Sequence, residues 1–252
     1  TGVQTCALPI YDASADDSFV KAGQYAARDH RVKVFRNTIN VGDYPNRNMA
    51  ATYATGEYLL YVDSDDCISP DALEYIADSV NSFPGTDMGV IVKKFDKELP
   101  VLLPGTEVIK INFFKHKILN TGPGGVFFKT EFFRKFGGYS EKYGPVNDLF
   151  SHVRLACYGN LLLLPYCYVQ YRIHSQQESS KLSNYMLYYQ PYISDLMKLA
   201  ELPLSQKERH YILRYYSYRH LYNIIKFALR TGDLKMSWSA FRFGKFRISD
   251  FL

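Results

Sequence analysis

The first apolar positions along the chain recur at helical spacing. In "DSFVKAGQYAA", Phe19, Ala22 and Tyr25/Ala26 share one side, which predicts an amphipathic helix. "RVKVF" alternates Val32 and Val34 with polar neighbours, the period of a short strand. "YPNRNMAATYA" predicts a helix with Pro45 in its first turn, where a missing N–H costs little. "EYLLYV" is a near-continuous apolar run, as expected of a strand covered on both faces of a parallel sheet. After "DSDDCI", Ser69 suits an N-cap and Pro70 the first helical position of "PDALEYIADSV". This alternation of strand and helix argues for an α/β sheet with right-handed crossovers.

The pattern from residue 86 to 145 is less regular. "GGVFFKTEFFRKFGGY" predicts a short strand, a short helix opening at Thr130, and a glycine stop. "NDLFSHVRLACYG" predicts a helix ending at Gly159, and "LLLLP" and "YVQYR" read as strands. Beyond residue 180 no strand pattern persists. "SQKE" at 205–208 is a capping box that opens a long helix, with Arg219, Asn223, Lys226 and Arg230 on one polar stripe.

Composition narrows the class. The chain has 252 residues, 47% apolar and 22% charged, enough for one good-sized core and a smaller second unit. "NLLLLPYCYV" is far short of the roughly 20 residues a membrane span needs. Cys6, Cys67, Cys157 and Cys167 include no CxxC spacing, which argues against a zinc knuckle or disulfide framework and for a reducing, cytoplasmic setting. The net charge of +5 is unevenly placed, because residues 205–252 hold ten Lys/Arg against three Asp/Glu. The basic, aromatic end "MSWSAFRFGKFRISDF" suits peripheral contact with the cytoplasmic face of an anionic membrane, or a helical cap with a solvated basic face. No recognition motif accompanies the charge, so a nucleic-acid partner is not expected.

The densest chemistry is "YLLYVDSDDC". Asp63, Asp65 and Asp66 crowd together where an apolar strand ends, and like charges so close repel unless a cation compensates them. Carboxylate oxygens on a turn suit Mn²⁺ or Mg²⁺, which in turn suits a diphosphate at the carboxyl edge of an α/β sheet. Taken alone, the same residues also fit a solvated acidic turn.

The surroundings decide between these readings. "NVGDYPNRNMAATYATGEYLLYVDSDDCISPDALE" resembles the donor-binding half of family-2 glycosyltransferases with the GT-A fold. That pattern runs Asn-x-Gly, an Arg-Asn pair on a helix, Ala-x-Gly-Glu-Tyr, an apolar strand, Asp-x-Asp-Asp and Pro. "YDASADDS" is similar to the family's earlier Asp-Asp-Gly-Ser-Thr-Asp signature, with Tyr11 and Ala13 departing from it. "GGVFFKTEFFRKFGGYSEKYGPVNDLF" is similar to the acceptor-side block, with Asn147 where Glu is usual.

The resemblance implies a mostly parallel GT-A sheet flanked by helices, lacking its first strand and helix and followed by a C-terminal helical extension. Residues 11–180 would be the catalytic domain and 181–252 the extension. It implies that Asp12 meets the nucleotide base, that Arg47 lies near the nucleotide or its phosphates, and that Gly124 and Gly125 allow close approach of a sugar. It further implies Asp63 toward the ribose or metal, Asp65 as a direct metal ligand, and Asp148 as general base. Arg172 and His174, in "YRIH", would lie near the diphosphate and metal. The implied reaction is inverting, metal-dependent sugar transfer from a nucleotide-sugar, a UDP-sugar foremost, to a glycan or lipid-linked glycan in bacterial surface polysaccharide synthesis. A sugar nucleotidyltransferase and a non-catalytic membrane-surface or carbohydrate-binding module are the alternatives; "VNDLF" and "YRIH" favour transfer over the first.

Residues 1–10, "TGVQTCALPI", fit none of this. The decapeptide can be encoded by ACT GGA GTT CAG ACG TGT GCT CTT CCG ATC, which resembles a widely used sequencing adapter read in frame, so it is expected to be a non-native scar. In that case "CALPIYD" takes the place of a strand start by coincidence of composition. Raw reads with a different sequence upstream of Asp12 would bear this out; the same decapeptide in intact genomic DNA would contradict it.

Overall fold

The computed structural model describes residues 6–13, 16–93, 95, 96, 98–172 and 182–246. In chain order the elements are β1 (Ile10–Tyr11), α1 (Ser18–Ala26), β2 (Phe35–Arg36), α2 (Asp43–Tyr53), β3 (Tyr58–Leu60), β4 (Cys67–Ile68) and α3 (Ala72–Ser82). Next come β5 (Met88–Ile91), β6 (Val101–Pro104), α4 (Gly105–Phe114), β7 (Val126–Lys129), α5 (Thr130–Lys135), α6 (Asn147–Ala156), β8 (Asn160–Leu164) and β9 (Val169–Gln170). Three helices end the chain: α7 (Leu182–Leu196), α8 (Gln206–Thr231) and α9 (Leu234–Gly244). The chain divides into two compact units. One comprises Thr1–Leu102, Gly122–Tyr139 and Asn160–Tyr171; the other comprises Leu103–Thr121, Ser140–Gly159 and Arg172–Leu252.

The first unit is α/β, as expected, with β3, β5 and β8 of its sheet running in one direction and β7 reversed between β3 and β5. The strand order is β3-β7-β5-β8-β6, and β7 runs antiparallel to both β3 and β5. β5 and β8 pair in parallel, with Met88 opposite Leu161 and Ile91 opposite Leu164. Strand direction depends on the side from which the chain re-enters the sheet, and no local residue pattern carries that information. The apolar run of β3 is covered on both faces, yet its sheet neighbour is the antiparallel β7, with Leu59 opposite Phe128. Gly89 lies opposite Phe127, and a Cβ there would sit 2.0 Å from the Phe127 ring, so glycine makes room for the aromatic side chain. Phe127, Leu162 and Leu164 from the sheet are buried with Ala72 and Ile76 of α3.

Two short ribbons flank this sheet in sequence. Residues 7–11 pair in parallel with 32–36, so "CALPIY" does take up a strand position. β4 pairs antiparallel with β9. The helix α3 opens at Ala72, two residues later than Ser69 and Pro70 suggest. Instead of capping, the Ser69 hydroxyl donates to the Tyr168 carbonyl at 3.4 Å and accepts from the Tyr166 hydroxyl at 3.0 Å.

In the second unit the Ser205/Glu208 capping box forms as expected, and α8 ends at Gly232 in the left-handed region, φ 71°. Arg209 closes the preceding loop by donating to the carbonyls of Met197, Leu199, Leu202 and Leu204 at 2.5–3.0 Å. Met186, Ile224 and Ala240 form the small core shared by α7, α8 and α9. Arg219, Asn223, Lys226 and Arg230 are all exposed.

Two histidines of this unit are buried as neutral rings. Burial pushes His152 down to about 4, although its Nδ1–H donates to the Leu119 carbonyl at 3.3 Å; burial alone pushes His220 down to about 4. In the unfolded chain both titrate near 6.5. Between those values the unfolded chain binds protons that the folded chain refuses, so stability is full above about pH 6.5 and falls as pH drops toward 4. Each ring contributes up to about 3 kcal/mol of this loss. Urea midpoints of the wild type should therefore fall more between pH 7.5 and 5 than those of a His152→Gln/His220→Gln variant; equal falls would contradict the assignment.

Candidate active site

The candidate site of the first unit is built around the turn that leaves β3. Asp63, Asp65 and Asp66 are half-buried, and the turn closes with the Asp66 N–H donating to the Asp63 carbonyl at 3.0 Å. One carboxylate oxygen from each of the three lies within 4.8 Å of the others. Three converging hard oxygen donors fit a divalent cation such as Mn²⁺ or Mg²⁺. Asp66 thus joins Asp63 and Asp65 in the candidate ligand set.

Arg47 of α2 meets this turn from the side. It is 10% exposed, and its guanidinium donates to Asp63 at 2.5 Å and to Asp43 one helical turn before it. The Tyr44 ring lies 5.2 Å from the guanidinium, and the Tyr61 hydroxyl donates to the Arg47 carbonyl at 3.0 Å. Burial opposes the charge on Arg47, but Asp63 and Asp43 outweigh it and raise its pKa. Asp63 moves the other way for a carboxylate. Burial, with Asp43 and Asp66 nearby, outweighs Arg47 and holds it above the usual range. Arg47 thus offsets charge on Asp63 at the side of the turn that faces α2.

Asp12 is engaged by its own chain. Its carboxylate accepts from the Asn37 amide at 2.8 Å and from the Val41 and Gly42 N–H groups at 2.9 Å each. Burial raises its pKa, but these hydrogen bonds together win and hold it below the usual value. Asp12 therefore organises the 37–42 loop that leads into α2, and one oxygen retains capacity for a further donor. Gly124 and Gly125 are buried in a 3-10 turn just before β7. A Cβ at Gly124 would meet Val169 at 3.4 Å and the Tyr61 carbonyl at 3.6 Å, so packing within the chain does not require glycine there.

The helix carrying Arg47 is clamped from behind. Asn48 donates to the Tyr139 carbonyl at 2.9 Å and accepts its N–H at 2.8 Å. Gly138, at φ 57°, makes that clamp possible, because a Cβ would lie 2.6 Å from the Asn48 oxygen. The Arg-Asn pair and the Gly-Gly-Tyr turn, separate motifs in the sequence, are thus one device.

Asp12, Arg47, Asp63, Asp65, Gly124 and Gly125 all belong to the first unit; Asp148 and Arg172 belong to the second. Asp148 is buried in the first turn of α6, where it accepts the Leu149 N–H at 2.7 Å, and Arg172 is exposed. His174 lies outside the described residues. Asn147, standing where Glu is usual, is buried and accepts the Tyr143 N–H at 2.8 Å, so it serves the local turn. Sequence reasoning missed Asp43 and Tyr61 as partners of Arg47. The i,i+4 spacing of Asp43 and Arg47 on a predicted helix was the available signal.

Comparison with known proteins fits this geometry. The sequence model of glycosyl transferase family 2 matches residues 8–137. The chain belongs to glycosyl transferase family 2. It is 38% identical over 65 residues to an uncharacterized glycosyltransferase of Haemophilus influenzae, covering 26% of each protein. It is 44% identical over 66 residues to the poly(ribitol-phosphate) beta-glucosyltransferase of Bacillus spizizenii, covering 25% of this chain and 10% of that one. These alignments span about a quarter or less of the relatives' length. Among solved structures, S. aureus TarS 1-349 in complex with UDP-GlcNAc superposes with a TM-score of 0.69 at 18% identity, covering 93% of this chain and 70% of that one. The same protein in complex with UDP gives 0.67 at 17% identity, over 95% of this chain and 70% of that one. The shared fold is GT-A, and this family-2 chain carries its acidic turn on it.

Removing the resident counter-charge tests the electrostatics. Arg47→Gln should cost about 1–3 kcal/mol in the absence of divalent cation, because it leaves Asp63 and Asp43 without their partner. Mn²⁺ should then raise the melting temperature of the variant more than that of the wild type. Equal Mn²⁺ effects would mean that Arg47 does not bear on cation binding.

Proposed function

We propose that this family-2 protein transfers a sugar, with inversion, from a nucleoside-diphosphate donor to a hydroxyl group of a growing surface glycan. A UDP-sugar is the donor of choice, since the TarS structures of the same fold are complexes with UDP and UDP-GlcNAc. Glycan assembly is suggested by the poly(ribitol-phosphate) glucosyltransferase among the relatives. The observation that carries the proposal is the convergence of Asp63, Asp65 and Asp66 at the end of β3 in a chain of this family.

Sugar transfer needs a leaving diphosphate whose charge is offset and an acceptor hydroxyl that loses its proton. Mn²⁺ or Mg²⁺, held by Asp63 and Asp65 with Asp66 beside them, would neutralise charge on the departing diphosphate. Arg47 keeps Asp63 in place from the side of α2, and Asp12 fixes the 37–42 loop where the base is to be received. Gly124 and Gly125 are assigned to the sugar side of the donor. Arg172 and His174 are assigned to the diphosphate side. Asp148 accepts the acceptor's proton, a role worth about 10²–10⁴ in rate. No nucleophile of the protein is needed, and one displacement inverts the anomeric carbon.

Asp148→Asn should therefore lower transfer by about 10²-fold or more while UDP binding stays within a factor of two or so. A chelator should abolish transfer by the wild type. Activity that survives both changes would overturn the proposal, and loss of UDP binding in Asp148→Asn would remove Asp148 from the role of base.

A further inference from the structure

The outward face of the last two helices is more than a solvated basic surface. On α9, Leu234, Trp238 and Phe241 follow one another at i, i+4 and i+7, all exposed, with the rings of Trp238 and Phe241 stacked at 5.7 Å. At the C-terminal end of α8, Tyr222, Ile225 and Leu229 form a second exposed row, with Leu229 83% exposed. The opposite faces of both helices are occupied, since Ile224 and Ala240 are buried with Met186. Exposed Lys226, Arg230, Lys235, Arg242 and Lys245 flank these rows. The one acidic residue between 225 and 246 is Asp233, whose carboxylate caps α9 by accepting the Met236 N–H at 2.8 Å. No helix among the described residues is long and apolar enough to cross a membrane.

Rows of leucine and aromatic rings left open to water mark an interaction surface. The excess of cations around them narrows the partner. Trp, Phe and Leu fit the boundary between headgroups and acyl chains, while Lys and Arg reach outward to lipid phosphates. Five exposed cations against the single carboxylate of Asp233, which is engaged in capping α9, complement an anionic bilayer. We propose that α9 and the C-terminal end of α8 dock this protein on an anionic phospholipid surface. The proposal deepens the transferase reading, on which it rests for the lipid-borne acceptor it implies; the docking geometry stands by itself.

The chain contains a single tryptophan, Trp238, so its fluorescence reports on this face alone. The full chain should be titrated at low salt with phosphatidylglycerol-containing vesicles and with neutral phosphatidylcholine vesicles. Emission should shift to the blue with the anionic vesicles only, become quenchable by brominated lipid, and revert at high salt. Lys235→Gln/Arg242→Gln should weaken partitioning on the order of tenfold or more and leave UDP-sugar hydrolysis in solution unchanged. Three results would each overturn docking on anionic lipid: no shift with anionic vesicles; a shift that occurs without lipid as protein concentration rises, which indicates a second copy; or a shift with a soluble anionic polysaccharide but not with vesicles. Vesicle binding without any hydrolysis or transfer would retire the transferase reading and leave the docking face standing.

Discussion

Three carboxylates in one four-residue turn are the constraint around which the first unit is arranged. With one oxygen of each inside 4.8 Å of the others, the three carboxylates repel one another wherever they are ionised together. The turn therefore needs positive charge brought to it and held there. Arg47 supplies part of it, and α2 is fixed accordingly. Tyr61 holds the Arg47 carbonyl, Asn48 clips α2 to Tyr139, and Arg134 of α5 donates to the carbonyls of Ala51, Thr52 and Ala54 at its end. A helix tied at three places presents its guanidinium at a fixed distance from Asp63. Burial is the main reason that Asp63 stays above the usual carboxylate range, against the pull of Arg47.

A turn fully neutralised by protein groups would have no reason to take up a cation, and a turn with none would be destabilised without one. Arg47 offsets charge on Asp63, and in the transferase reading proposed above a metal–diphosphate pair would bind beside it. The proposed donor site thus sits within one compact unit, on the edge where β3 ends, while the proposed base Asp148 is carried by α6 of the other.

Much of this was legible in the sequence where the signal is local. Helix α2, the strand β3, the acidic turn and the Ser205/Glu208 capping box all follow from spacing within a few residues. Long-range pairings were not legible. Nothing near Val126 states that β7 runs antiparallel, and the two-residue ribbon of β4 and β9 joins positions about a hundred residues apart. Ser69 has the chemistry of a cap but meets the Tyr168 carbonyl first, which moves the helix start to Ala72. The Asn48–Tyr139 clamp spans 91 positions, so the two motifs it joins could be named but not connected. Asn147 could be seen as a departure from the family pattern, but its burial against Tyr143 could not.

We propose that the turn at 63–66 is a cation site used with a nucleoside diphosphate. Manganese binding followed by electron paramagnetic resonance, with and without UDP, measures this directly. One ion per chain is expected, bound more tightly when UDP is present, with at least about tenfold weaker binding in Asp65→Asn. Binding of equal strength in Asp65→Asn, or binding indifferent to UDP, would contradict it.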